Sequence, residues 1–257
     1  MAFLLVPLAA FLASGLTLFS GFGLGTLLMP VVALFFPIEI AIAMTAVVHL
    51  ANNLFKGGLL GRHASRGVVL RFGLPAVVAA FGGALLLGRL ADAAPVVEYG
   101  FLGAHLELTR LGLVVGLAIL AFVALELSPR FVAFAVDAKW LPLGGVASGF
   151  FGGLSGHQGA FRSMFLLKAG LDKKSFVATG VLVSILVDLA RTSVYGVEFL
   201  AHRAAIDWAL VGCATVAAFA GAWLGARWLE KVTIVTVRRM VSVMLVVIAI
   251  GMMSGAI

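Results

Sequence analysis

Apolar residues fall in long blocks separated by short polar stretches. Eight blocks are distinct, at about 2–36, 38–60, 68–90, 108–127, 140–170, 174–196, 205–229 and 234–256. Roughly 20 consecutive apolar residues cross a bilayer as a helix, so six of the blocks read as single spans. The first and fifth are too long for that. The first carries Gly15, Gly21, Gly23, Gly25 and Pro30 near its middle, and the fifth carries Gly144, Gly145, Gly149, Gly152, Gly153, Gly156 and Gly159. Gly and Pro inside a membrane helix free backbone groups that lipid cannot satisfy, so such breaks persist only where protein or a wet cavity surrounds them.

The two interrupted blocks correspond. An offset of 134 residues places Ser14-Gly15 on Ser148-Gly149, Gly25 on Gly159, Thr45 on Thr179 and Val47 on Val181. At an offset of 138, Ala80-Phe81 falls on Ala218-Phe219 and Gly83-Ala84 on Gly221-Ala222. The chain therefore reads as two membrane repeats, 1–134 and 135–257. Paired Gly- or Pro-interrupted segments at matching positions are the best pointer from sequence to a transporter binding site.

Composition sharpens the class. Of 257 residues, 63% are hydrophobic and 11% charged, with a mean hydropathy of +1.18. Soluble globular domains run at about 45–50% apolar and about 25% charged, which excludes a soluble enzyme, a disordered chain and a secreted scaffold. The net charge of +7 is explained by basic cytoplasmic loops and gives no reason to expect nucleic acid. The N-terminus has neither a basic start nor a cleavage site and reads as an uncleaved first segment. Cys213 is alone, so no intrachain disulfide forms, and it reads as a small helix-packing residue.

Loop charge bears on orientation. The turn after the first block has no Lys or Arg, whereas Lys56, Arg62, Arg66 and Arg71 lie around the end of the second. In the second half Lys168, Lys173 and Lys174 follow the interrupted block, Arg203 alone marks the next loop, and Arg227, Lys231, Arg238 and Arg239 the one after. Equivalent loops then face opposite sides. This works if each interrupted block is a hairpin of two short half-helices that enters and leaves on one face. The expected fold is all-α, with two inverted repeats of one broken hairpin and three spans each; eight plain spans in parallel repeats are the alternative.

Ionisable residues inside membrane segments are functional hypotheses by default. In the second block His49, Asn53 and Lys56 are spaced four and three apart and share a helix face, offering imidazole, amide and ammonium groups to an anion. Alternatively Lys56 snorkels at the helix end, and Asn52 or Asn53 bridges neighbouring helices. In the sixth block Asp188 and Arg191 are three apart, close enough to pair; otherwise Arg191 faces substrate and Asp188 carries a proton. The fifth block holds Ser155, Gly156, His157, Gln158, Gly159 and Arg162. A bend there would expose N–H groups at a half-helix start, which bind anions, and Arg162 adds a charge suited to an oxyanion. The matching bend, Ser20 to Thr26, offers backbone and hydroxyls. The substrate-binding candidates are Arg162, His157, Gln158, Gly159, Gly25, Thr26, His49 and Asn53, with His49 and Asp188 as candidate proton carriers. No cofactor, metal set or nucleotide-binding loop is indicated.

The repeated glycine-rich broken segment, Thr45 and Thr179 in the helices that follow, and the length resemble the sulfite exporter TauE/SafE family over about residues 8–255. The resemblance implies a multi-pass carrier in a bacterial inner membrane for small sulfur-containing anions such as sulfite, thiosulfate or organosulfonates, driven by an ion gradient; a homodimer stays open. Members commonly show a Gly-Gly-Gly run and a following proline. Here the first copy reads Gly23-Leu24-Gly25 with Pro30, and the second Gly156-His157-Gln158-Gly159 with Ser163-Met164 in place of the proline. Those departures put His157, Gln158 and Arg162 near the expected site.

An enzyme is the competing class. Gly153-Leu154-Ser155-Gly156, His49 with Asn53, and Ala201-His202 match fragments of a rhomboid-like intramembrane serine protease. A nucleophile and its base must lie within hydrogen-bond reach, whereas His202 reads as part of a polar loop and the duplication has no place in that fold. A packing subunit without transport would tolerate loss of Arg162 and His49.

Overall fold

The computed structural model describes residues 1–20, 24–101, 104–128, 130, 136–202, 206–228 and 234–256. Among them are ten α-helices: α1 (Ala2–Ser20), α2 (Leu24–Ala33), α3 (Ile38–Leu60), α4 (Arg66–Ala91), α5 (Arg110–Leu127), α6 (Leu141–Ser155), α7 (Gly159–Leu166), α8 (Lys173–His202), α9 (Trp208–Trp228) and α10 (Ile234–Met253). Four segments, Ile38–His63, Arg66–Ala91, Lys173–Val194 and Trp208–Gly225, are long and apolar enough to cross a membrane. The fold is that of an all-α membrane protein.

Helix α4 shows why such a sequence is stable only in lipid. Phe72, Ala76, Ala80, Gly83, Ala84 and Leu87 face the bundle and are buried. Leu70, Leu74, Val78, Phe81 and Leu85, on the opposite side, are exposed. An apolar stripe of that length in water would be an aggregation surface; against acyl chains it needs no cover. Cys213 follows the same logic. It is exposed on α9, so the expected packing role is corrected: an outward apolar face serves lipid contact, and hydropathy does not separate it from the core.

Both interrupted blocks fold as helix pairs. α1 packs along α2, and α6 along α7. In the second pair the ends meet: the Val136 N–H donates to the Met164 carbonyl at 3.3 Å, and Gly144 lies against the Phe165 ring. The pair is therefore a hairpin, with entry and exit together. At 1.5 Å per residue, α2 is about 15 Å long and α7 about 12 Å, no more than half the roughly 30 Å hydrocarbon thickness. Of the bend expected at Ser20 to Thr26 in the first block, 21–23 lie outside the described residues, Ser20 ends α1, and Leu24, Gly25 and Thr26 already belong to α2.

The helices pair in a matched way. The first helix of each pair packs on a helix of the opposite half: α1 on α9, and α6 on α4. α3 crosses α8, α5 packs on α10, and α4 on α8 is matched by α9 on α3.

Two elements depart from the hydropathy reading. The connection after α4 contains an antiparallel hairpin, β1 (Val97–Phe101) and β2 (Ala104–Leu108), in the register Tyr99 to Leu106. The Tyr99 hydroxyl donates to the Ser254 carbonyl, tying the turn after α10 to it. α8 runs on to His202, so His202 is helical and not in a loop as expected. At the other end of α8 the Asp172 carboxylate accepts from the Ser175 N–H at 2.6 Å, a contact that holds this exposed carboxyl below its ordinary range.

Candidate functional site

The crossing of α3 and α8 carries the centre of the site. Asp188 of α8 is fully buried. Its Oδ2 accepts from His49 Nδ1 at 2.6 Å and from Asn53 Nδ2 at 3.0 Å, and its Oδ1 faces Arg191 NH2 at 2.8 Å. The Asp188–Arg191 pair expected from spacing is present. His49 and Asn53, one turn apart on α3, converge on the same carboxylate. A buried ion is costly unless paired and hydrogen-bonded; the Asp188 carboxylate is paired with Arg191 and hydrogen-bonded through Oδ2.

Arg191 extends from the cluster to the hairpin tip. Its NH1 donates to the Gly152 carbonyl at 3.4 Å and lies where a side chain on Gly156 would begin, 2.7 Å from an ideal Cβ. Gly156 has φ of +80° and ends α6 in the left-handed conformation, a position that favours glycine on backbone grounds alone. Two requirements therefore coincide at one residue. The chain reverses through His157 and Gln158, and α7 starts at Gly159. The first α-helical bond of α7 is Arg162 N–H to the Gln158 carbonyl, so the N–H groups of Gly159, Ala160 and Phe161 precede it and form the helix's donor end.

The tip of this hairpin meets the start of α2. Gly25, in the first turn of α2, is so close that an added Cβ would lie 3.4 Å from the Gly156 carbonyl and 3.8 Å from His49 Cδ2. Gly25 and Thr26 are buried there. Thr45 Oγ1 is buried without a hydrogen-bond partner among the described residues. Its counterpart Thr179 accepts from the Ser65 N–H at 3.0 Å, so the paired threonines have different surroundings.

The remaining candidates divide. Arg162 donates to Ser184 Oγ on α8 and lies against Gly180; it is half-buried. Gln158 is fully buried, and both atoms of its amide lack partners among the described residues. His157 stacks on Phe122 of α5, with ring centroids 5.6 Å apart. Phe122 in turn meets Phe151 and Phe161 edge-on. Lys56 is 5% exposed, which corrects the reading that it snorkels outward. Its ammonium reaches the Ser14 carbonyl at 3.4 Å. Asn52 bridges helices as expected: its amide oxygen accepts from Lys56 Nζ at 3.0 Å and its nitrogen donates to the Ala218 carbonyl at 3.3 Å.

Among the described residues the protease fragments do not assemble into a reactive pair. His157 Nδ1 lies 3.0 Å from both the carbonyl oxygen and Oγ of Ser155. A carbonyl only accepts, so this nitrogen carries the hydrogen and offers Ser155 no base in the neutral ring. His49 and Asn53 are engaged by Asp188, and the His202 side chain lies outside the described residues.

A lipid-facing helical bundle in which the tip of a broken segment meets the start of α2 beside buried ionisable side chains has the form of a polytopic membrane carrier. The family model for the sulfite exporter TauE/SafE matches residues 6–252, nearly the whole chain. The protein belongs to that family and is a multi-pass membrane transporter of sulfur anions. Comparison with curated proteins and with solved structures finds no match.

Proposed function

We propose that the chain is a secondary transporter that moves sulfite, thiosulfate or an organosulfonate through a site between the two hairpin tips, coupled to an ion gradient. The observation that carries this reading is the contact of Gly25 with Gly156 beside the His49–Asp188–Arg191 cluster. The donor end of α7 and the Arg162 guanidinium would hold the anion. His49, Asn53, His157, Gln158, Gly159, Gly25 and Thr26 complete its surroundings. His49 and Asp188 share one short contact, which suits them to hand over a proton. Uptake into proteoliposomes of labelled sulfite, thiosulfate and sulfoacetate tests the reading. An imposed pH gradient should accelerate one of them. Arg162→Ala should lower its rate about 10- to 100-fold, the size of a lost charge-assisted hydrogen bond. Uptake indifferent to Arg162→Ala would remove this site.

The same reading makes residues 1–134 and 135–257 inverted repeats, each rocking against the other, in a bacterial inner membrane. Parity supports it. β1–β2 and the turn after α10 touch through Tyr99 and Ser254, so they lie on one side. Between them come α5, α8, α9 and α10, four crossings, which return the chain to its starting side only if α6–α7 enters and leaves on one face. The basic loops at Arg62, Lys139 and Lys174 then fall together on the cytoplasmic side. In a Cys213→Ala background, His105→Cys and Ala256→Cys should react with an impermeant maleimide outside intact cells, and Gly170→Cys only after permeabilisation. Labelling of Gly170→Cys alongside His105→Cys would favour plain spans.

A further inference from the structure

The tip of the α6–α7 hairpin presents hydrogen-bonding groups of both kinds. Gln158 is 0% exposed, and neither its Nε2 nor its Oε1 has a partner among the described residues. Whichever way the amide is turned, one donor and one acceptor stay unmet. Its Cδ lies 3.6 Å from an ideal Cβ on Gly152, the residue whose carbonyl accepts from Arg191 NH1. Arg191 Nε is likewise buried without a partner among the described residues. Arg191 NH1 meets the Gly152 carbonyl and lies 2.7 Å from an ideal Cβ on Gly156, so the guanidinium that carries this Nε and the Gln158 amide both belong to the Gly152–Gly156 end of α6, next to the donor end of α7.

His157, 2% exposed, adds an acceptor. Its Nδ1 is committed as a donor by the Ser155 carbonyl at 3.0 Å, so in the neutral ring Nε2 carries the lone pair. That Nε2 is also buried and has no partner among the described residues. Phe122 of α5 stacks on the ring and itself meets Phe151 of α6 and Phe161 of α7 edge-on. Burying unmet polar groups costs about 1–3 kcal/mol each, and several at one tip mark a place that an occupant completes.

A bare oxoanion satisfies only half of this set, because it accepts and does not donate. We propose that the tip is a subsite for an oxoanion carrying its own O–H or N–H. Arg191 Nε and the Gln158 N–H hold the anionic oxygens, while Gln158 Oε1 and His157 Nε2 accept from the substrate's donor. This rests on the reading of the hairpin tips as the transport site, and it makes Arg191 a binding residue as well as the partner of Asp188. The donor has two sources, the acidic proton of a protonated oxyanion or an amine or hydroxyl on an organosulfonate.

Competition against labelled sulfite uptake separates them. Isethionate, taurine and ethanesulfonate share a two-carbon sulfonate and differ only in the terminal hydroxyl, amine or hydrogen. The donor-bearing pair, or one of them, should compete about tenfold or more better than ethanesulfonate, the discrimination expected from one unmet buried group. If the acidic proton is the donor, sulfite uptake itself should track the hydrogen sulfite fraction across its ionisation, with all three sulfonates equal. Gln158→Met, close in volume but without the amide, should erase whichever preference is found. Thermal stabilisation of the detergent-purified chain by the same compounds repeats the comparison without transport. A ligand preference that survives when no uptake occurs faults the transport reading and leaves the subsite. Equal competition by all three together with uptake blind to the hydrogen sulfite fraction overturns the subsite, as does a preference unchanged in Gln158→Met.

Discussion

Asp188→Asn is expected to destabilise the protein by about 3–5 kcal/mol, the usual result of stripping one partner from a buried ion pair. Arg191 is 1% exposed and Asp188 0%, and the carboxylate also takes the hydrogen bonds of His49 and Asn53. The asparagine leaves the guanidinium in a low-dielectric interior without its counter-charge. The detergent-solubilised variant should lose its sharp melting transition, and its yield in membranes should fall. The control is the double variant Asp188→Leu, Arg191→Met. Removing both charges together is often neutral or stabilising by 1–4 kcal/mol, so the fold should return while uptake stays lost. That pair of outcomes separates holding the bundle from carrying substrate and protons. A wild-type melting profile for Asp188→Asn would mean that the cluster contributes little to stability.

The sequence exposes the parts of this cluster but not their union. Spacing of three and four places Asn53 on the face of His49, and Arg191 on that of Asp188, because one helical turn brings those positions together. No such rule spans the 139 residues between His49 and Asp188; that contact depends on where α3 crosses α8. The broken blocks are legible for a different reason. Lipid offers no partner to a freed backbone group, so clustered glycines in an otherwise apolar run carry unusual information. The β-hairpin has a legible signal that hydropathy blocks pass over. Val97, Tyr99 and Phe101 alternate with Glu98 and Gly100, and Leu106 and Leu108 with His105 and Glu107, a period of two over five residues per strand. Exposure is the least legible property, as Cys213 shows, since both faces of a membrane helix are apolar. The unmet amide of Gln158 is likewise invisible in sequence, because a glutamine beside a glycine bend reads equally well as a solvated turn.

The position of the hairpin tip depends on glycines at backbone contact, and substitution there should have the second large effect. An ideal Cβ on Gly145, Gly149 or Gly153 would lie 2.2, 2.0 or 2.1 Å from the carbonyl oxygens of Phe72, Ala76 and Ala80 respectively. The contacts recur every fourth residue on both α6 and α4, so the two helices cross with backbones nearly touching, as small residues allow in membranes. A carbonyl held in a helix cannot rotate aside. Gly149→Ala must therefore push α6 away from α4 by about 1 Å, and overpacking of this kind costs about 1–3 kcal/mol. Because α6 leads directly into Gly156, the shift carries the tip away from Gly25 and from Arg191, and a misplacement of about 1 Å can cost on the order of 100-fold in a positioned site. Uptake by Gly149→Ala should fall by at least about tenfold while the protein still inserts. Adjacent glycines of α4 supply the internal comparison. A Cβ on Gly83 would lie 2.1 Å from the Phe150 carbonyl, whereas one on Gly82 meets nothing within 4 Å. Gly83→Ala should therefore behave like Gly149→Ala, and Gly82→Ala should leave stability within about 0.5 kcal/mol of wild type. Equal behaviour of the neighbouring pair would show that the hairpin is not positioned by this contact, and that its depth is set instead by the ion cluster that Arg191 anchors.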